Sequence, residues 1–288
     1  MPVKLLGMIA PTDKPVLVDQ YSKKRSSKCG SSPPPQGSKT PLPHYRESPS
    51  GLQSYLVICS ARKLLTLRRM RPAAQLLLIE ASAIRPVLET LNLVQFDKPT
   101  VCTGWSVRDV LGHCGAALTR VMADDLHGFS SADNEADVLQ RRPWPISKVL
   151  EELLFGYEAA AVEIDRAGGY LDGVGLGEWI HGGDVRDAIG APHPYTSEGA
   201  DLAFDLLLER STGRILPHGR TSRRAVAGKP SLDILVDGKS RRFGSDGEAI
   251  GTLTTDLETF VRLCGGRRPD PERYDLTGVG ASELALFA

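Results

Sequence analysis

The chain has no CxxC pair, and its five cysteines (Cys29, Cys59, Cys102, Cys114 and Cys264) are odd in number and scattered. This pattern argues against a disulfide framework and for a reducing cytoplasm. The chain also lacks any window of the roughly 18 consecutive apolar residues that a membrane helix needs. The apolar run from Leu56 to Cys59 is far too short, so no membrane span is expected. Net charge is absent as well, with 35 Lys and Arg against 35 Asp and Glu. The balance is uneven: residues 1–70 hold 12 basic and 3 acidic residues. The remainder is therefore acidic, and nothing in it suggests a nucleic-acid groove.

What is present is enough for ordinary globular cores: 288 residues, 41% of them apolar, which sets a prior of about two domains. Residues 1–70 differ from the rest. The stretch KKRSSKCGSSPPPQGSKTPLP is rich in Ser, Pro, Gly and Lys, and such a composition cannot bury enough apolar surface to offset its ordering entropy. It reads as disordered. Three origins compete for it: a basic interaction tail, a targeting segment, or a non-native extension ahead of the true start. The extension is preferred, because the elements of a secretory signal are not assembled and the recognisable domain starts only near Arg71.

From Ala73 to Leu91, apolar residues including Leu76, Leu77, Ile84 and Leu88 follow helical spacing despite Pro86. After a linker, FDKPTVCTGW, Ser106 is a good N-cap with Asp109 as its box partner, opening a second helix to about Leu126. A polar loop (GFSSADNEAD) leads to a third helix over Pro145 to Ala167. A fourth runs from about Val174 to Ile189 and stops at Gly190. Four amphipathic segments in sequence make a four-helix bundle over 71–194 the economical architecture. Beyond Pro194 one more helix (Glu198 to Arg210) precedes alternating strand patterns. LDILVDG turns at Asp237-Gly238 into SRRFG, a short strand covers Ala249 to Leu253, and a helix covers Asp256 to Leu263. The expected fold is thus α plus α+β, with a small α+β domain over 195–288.

The fourth helix carries the chemistry. In GEWIHGGDVRDAIG, Glu178, His181 and Asp184 recur at spacings that share a helix face. They supply two or three metal ligands, and His113 in GWSVRDVLGHC is the best further donor. The bland alternatives are a hydrogen-bonded core histidine at 113, a helix N-terminal acid at 178, and structural ion pairs for Asp184, Arg186 and Asp187. Trp105 and Trp179 read as packing residues, Cys114 as a small core residue. His127, His193 and His218 have no partner at ligand spacing.

KPTVCTGWSVRDVLGHC resembles the segment before and within the second helix of DinB-like bundles, specifically the mycothiol-dependent maleylpyruvate isomerase family. GEWIHGGDVRDAIGAP is similar to that family's fourth-helix signature, and TLTTDLETFVRLCGGR resembles its small second domain, which is related to sterol carrier proteins. The resemblance implies a divalent metal, zinc in the first instance, held by His113, Glu178 and His181, with Asp184 as the alternative ligand. It also implies mycothiol as a thiol cofactor and a small electrophilic substrate, turned over by an isomerase or thiol transferase. Arg267 and Arg268 are then placed to hold a substrate anion. The family's carboxylate lies four residues before its histidine, where this chain has Gly177. That departure keeps a second expectation open, a non-catalytic ligand-binding or partner-binding scaffold whose metal site has decayed. Either form is expected to be a monomer or dimer.

Overall fold

In the computed structural model, residues 70–126, 129–213 and 228–287 are described. The reading of 1–70 as a disordered extension lies, except for Met70, outside them, as do His127 and His218. The helices come first: α1 (Pro72–Thr90), the single turn α2 (Leu93–Phe96), α3 (Val107–Met122), α4 (Ser131–Arg141), α5 (Ile146–Arg166), α6 (Asp172–Ala188) and α7 (Ala200–Ser211). Strands β1 (Leu232–Val236), β2 (Lys239–Phe243) and β3 (Gly251–Thr255) follow, then α8 (Leu257–Cys264) and β4 (Tyr274–Leu276). This is a helix bundle joined to a small α+β layer, the fold class that the periodicity predicts.

Local chemistry accounts for the boundaries. Ser106 and Asp109 form the expected capping box, each side chain accepting from the other's backbone N–H at the start of α3. α6 ends in a paired C-terminal motif around Gly190 (φ +81°): the Gly190 N–H reaches Asp187 O and the Ala191 N–H reaches Arg186 O. The segment expected as a polar loop departs from the prediction, because most of it is helix α4. Ser130 and Asp133 cap that helix, and ion pairs replace apolar content: Asp137 accepts from Arg120, and Glu152 of α5 accepts from Arg141.

Within the bundle α3 packs on α5, and α1 packs on α6 and α5. Leu76, Leu77, Ile84, Leu111, Leu118, Leu153, Tyr157, Ile164 and Trp179 are almost wholly buried there. Each such large apolar side chain contributes about 1.5–3 kcal/mol. The sheet has the order β2-β1-β3-β4, with β1 parallel to β3 and antiparallel to β2. Asp237 (φ +46°) and Gly238 (φ +75°) make the predicted hairpin turn between β1 and β2. Phe260 of α8 meets Phe204 of α7 and Phe243 of β2 edge-on, with ring centroids 5.2 and 6.0 Å away. One apolar cluster therefore runs from the bundle helices into the sheet.

Candidate metal centre

Three parts of the chain deliver side chains to one place. The first is the loop before α3, closed on itself by the Val107 N–H to Lys98 O and the Trp105 N–H to Cys102 O. Gly104 (φ +81°) occupies the turn position that needs a positive φ, and the turn presents Cys102. The second is α6, which presents His181 and Asp184 one turn apart. The third is the end of α8. There Gly266 (φ +74°) sends its N–H to Leu263 O and Arg267 sends its backbone N–H to Arg262 O, a helix stop that throws the Arg267 side chain back toward α6.

Asp184 is the hub. It is wholly buried, yet accepts from five groups. The His181 Nδ1–H donates to Oδ2 at 2.9 Å and the Cys102 thiol to the same oxygen at 3.3 Å. Tyr195 OH donates to Oδ1 at 2.5 Å and Arg267 Nε–H to Oδ1 at 2.9 Å, while Arg267 Nη2 donates to Oδ2. Burial alone would raise the Asp184 pKa, but the bonds from His181 and Arg267 outweigh it and hold the carboxyl well below the usual range. An ionised Asp184 accepts only, so His181 carries its proton on Nδ1 and leaves Nε2 with a lone pair in the neutral ring. Burial, followed by the nearby Asp184 charge, pushes the Cys102 thiol up to about 12.

His113 projects from α3 onto the same place. Its ring stands edge-on to that of His181, with centroids 5.1 Å apart and an interplanar angle of 82°, and the Trp105 ring covers it at 4.9 Å. Burial, then the proximity of His181 and Arg141, drops its pKa to about 3, so it is a neutral imidazole. Its Nδ1 is buried with no hydrogen-bond partner. Glu178 is 3% exposed and bonds the Cys114 thiol, and its Oε2 has no partner. Of the two carboxylates singled out from sequence, Asp184 is the one that meets His181. Arg267 is in the centre, and Arg268, the next residue, is exposed. Arg186 and Asp187 are structural, bonding Glu80 and Arg262 respectively. Cys102 and Tyr195 are the two participants that the sequence reading missed.

Among the described residues Cys102, His181 and Asp184 can bring ligand atoms within 4.8 Å of one another, a group able to hold a metal ion. Thiolate, imidazole and carboxylate together suit a borderline-soft divalent ion of the zinc type. The His113 ring stands beside that of His181, and its buried Nδ1 has no partner. The donor set therefore fits a metal, although a guanidinium already lies against it.

Fold and site together define a helix bundle with a buried thiol, imidazole and carboxylate centre. Residues 77–169 match the family described as the mycothiol maleylpyruvate isomerase N-terminal domain. The matched stretch includes Cys102 and His113 and ends before α6. Two solved structures are similar to the chain, the mycothiol-dependent maleylpyruvate isomerase and a histidine-to-alanine mutant of it. Each is 13% identical over 74% of this chain and 96% of that one, with a TM-score of 0.46. No curated protein matches the chain. Among the described residues no helix is long and apolar enough to cross a membrane.

Proposed function

We propose that the chain is a metal-dependent isomerase or thiol transferase that uses a low-molecular-weight thiol, mycothiol in the first instance, on a small electrophilic substrate. The observation that carries this reading is the convergence of His181, Asp184 and Cys102 beside His113, in a chain whose 77–169 segment matches the mycothiol maleylpyruvate isomerase N-terminal domain. His181 and Asp184 would hold the ion, with His113 and Glu178, each of which has a buried polar atom without a partner, as further donors. When bound, a zinc-type ion supplies Lewis acidity and keeps a thiol in its nucleophilic thiolate form.

The protein's own groups set the conditions for that chemistry. Asp184 fixes the His181 ring through Nδ1, and an ion shared by His181, Asp184 and Cys102 would take the place of the Nδ1 proton. Trp105 and the packed face of α3 shield His113 from water, which keeps its ring neutral and available as a donor. Arg267 offers a planar fork to a substrate carboxylate whenever it is not engaged by Asp184, and the exposed Arg268 follows it in the chain.

The test is metal content of the full chain purified without chelators, compared with His181→Ala. Close to one equivalent of zinc per chain, lost in the variant, together with thiol consumption in the presence of an electrophile, is the expected outcome. A second reading is favoured by one observation, the guanidinium of Arg267 paired with Asp184: a metal-free scaffold that binds a small ligand or a partner. Absence of metal in both proteins after zinc reconstitution, with no thiol consumed, would select it. Both readings take the protein as cytoplasmic, in keeping with its scattered cysteines.

A further inference from the structure

The Arg267 guanidinium touches every member of the three-donor group. Its Nη2 bonds Asp184 Oδ2, lies 3.5 Å from His181 Nδ1 and 3.9 Å from Cys102 Sγ, and its Nε bonds Asp184 Oδ1 at 2.9 Å. A cation held by the same three side chains would have to stand where this one does. The placement is built in rather than incidental. Arg267 is fixed by the glycine stop of α8, its backbone N–H bonds Arg262 O at 2.8 Å, and its Nη1 bonds Gly265 O. The neighbouring Arg262 ties the same helix to α6 through Asp187 at 2.7 Å.

Charge makes the arrangement exclusive. Asp184 is wholly buried and bonds the Arg267 guanidinium through both of its oxygens, and a buried carboxylate that loses its cationic partner is strongly unfavourable. Two cations cannot partner it together. A divalent ion drawing on Asp184 would face an immobilised positive guanidinium at contact distance, with little water between them to screen the repulsion. We propose that Arg267 is an intrinsic cation that competes with a divalent metal of the zinc type for the site formed by Cys102, His181 and Asp184. In the metal-free protein Arg267 neutralises Asp184 and holds the site together. Metal binding releases it from Asp184, and the freed fork then stands at the site as an anion holder. Metal loading and the exposure of an anion-binding group are thus one event. This inference rests on the reading that the cluster holds a metal.

The experiment measures zinc affinity of the full chain by competition with a chromophoric chelator, for the natural sequence, Arg267→Gln and the double variant Arg267→Gln/Cys102→Ser. The single variant is expected to bind zinc at least about tenfold more tightly than the natural chain, and the added serine to remove most of that gain. Without zinc, Arg267→Gln should melt lower than the natural chain, and zinc should raise its melting temperature by the larger amount. Should the variant fold poorly, the natural protein serves alone: the Arg267 Nε–H resonance, protected by its bond to Asp184, should lose protection as zinc saturates the site. Equal zinc affinity with and without Arg267, or an Nε–H that stays protected at saturation, overturns the competition while leaving the metal reading intact. Zinc binding to none of the proteins overturns both.

Discussion

Two carboxyl groups on α6 behave in opposite ways because one has cationic and hydrogen-bonding partners and the other has almost none. Asp184 accepts from five donors and stays ionised, whereas burial pushes Glu178 from its ordinary value of 4.5 up to about 8. At neutral pH the native protein therefore carries Glu178 as the neutral acid. A native pKa above the unfolded one means that the native state binds the extra proton. Its stabilising effect is complete below about pH 4.5 and is lost as pH rises toward 8, with a slope of at most about 1.4 kcal/mol per pH unit. Glu178→Gln should remove that slope, so the variant melts higher than the natural chain at pH 8 and differs little at pH 5. Thermal melts across that range, with zinc content measured on the same samples, decide the matter. Loss of zinc in Glu178→Gln would instead make Glu178 the ligand that its spacing to His181 suggests. The spacing rule places residues 178, 181 and 184 on one broad face, and it cannot say which edge of that face looks into the core and which toward Cys102. For the same reason Cys102 was invisible as a site residue. Its partner Arg267 is 165 positions away, and only tertiary packing joins them.

At the level of elements, α6 works because it is short of side chains where its neighbours come close. A Cβ on Gly183 would overlap the Tyr195 ring, and one on Gly182 would overlap the Glu80 carboxylate. Gly183 thus lets Tyr195 lie flat on the helix and donate to Asp184, and Gly182 lets the buried pair of Glu80 and Arg186 form. Gly183→Ala should cost about 1–3 kcal/mol through overpacking, and it should also displace Tyr195. The near-ultraviolet circular dichroism should change with the melting temperature. A variant as stable as the natural chain, with unchanged tyrosine signals, would show that the ring has room to move. The sequence made helices with strong apolar periodicity readable, along with the hairpin at Asp237-Gly238. It hid α4, whose stability comes from a capping box and from ion pairs to α3 and α5 rather than from an apolar stripe. Such partners have no signature in local periodicity. β4 escaped for a related reason, since three residues are too few to show alternation.

For the molecule as a whole, the sequence suggested a boundary near residue 194 between a bundle and a small α+β domain. Across that boundary the described residues share one apolar cluster: Phe204, Phe243 and Phe260 join α7, β2 and α8, and α7 packs in turn on α1 and α6 of the bundle. Polar ties cross it too. Arg262 and Arg267 from the C-terminal part bond Asp187 and Asp184 on α6. A chain cut to residues 70–213 would leave the buried Asp184 without its guanidinium and expose the faces that meet α8, a change of the kind that costs about 3–5 kcal/mol for the broken ion pair alone. Domains joined by a shared core and buried ion pairs unfold together, whereas independent ones give separate transitions. The full chain should therefore melt in one calorimetric transition whose van't Hoff and calorimetric enthalpies agree, and the 70–213 fragment should melt much lower or not cooperatively. Two resolved transitions, the upper one reproduced by the fragment, would make the bundle self-sufficient and would leave the C-terminal part as a separable cover over the centre.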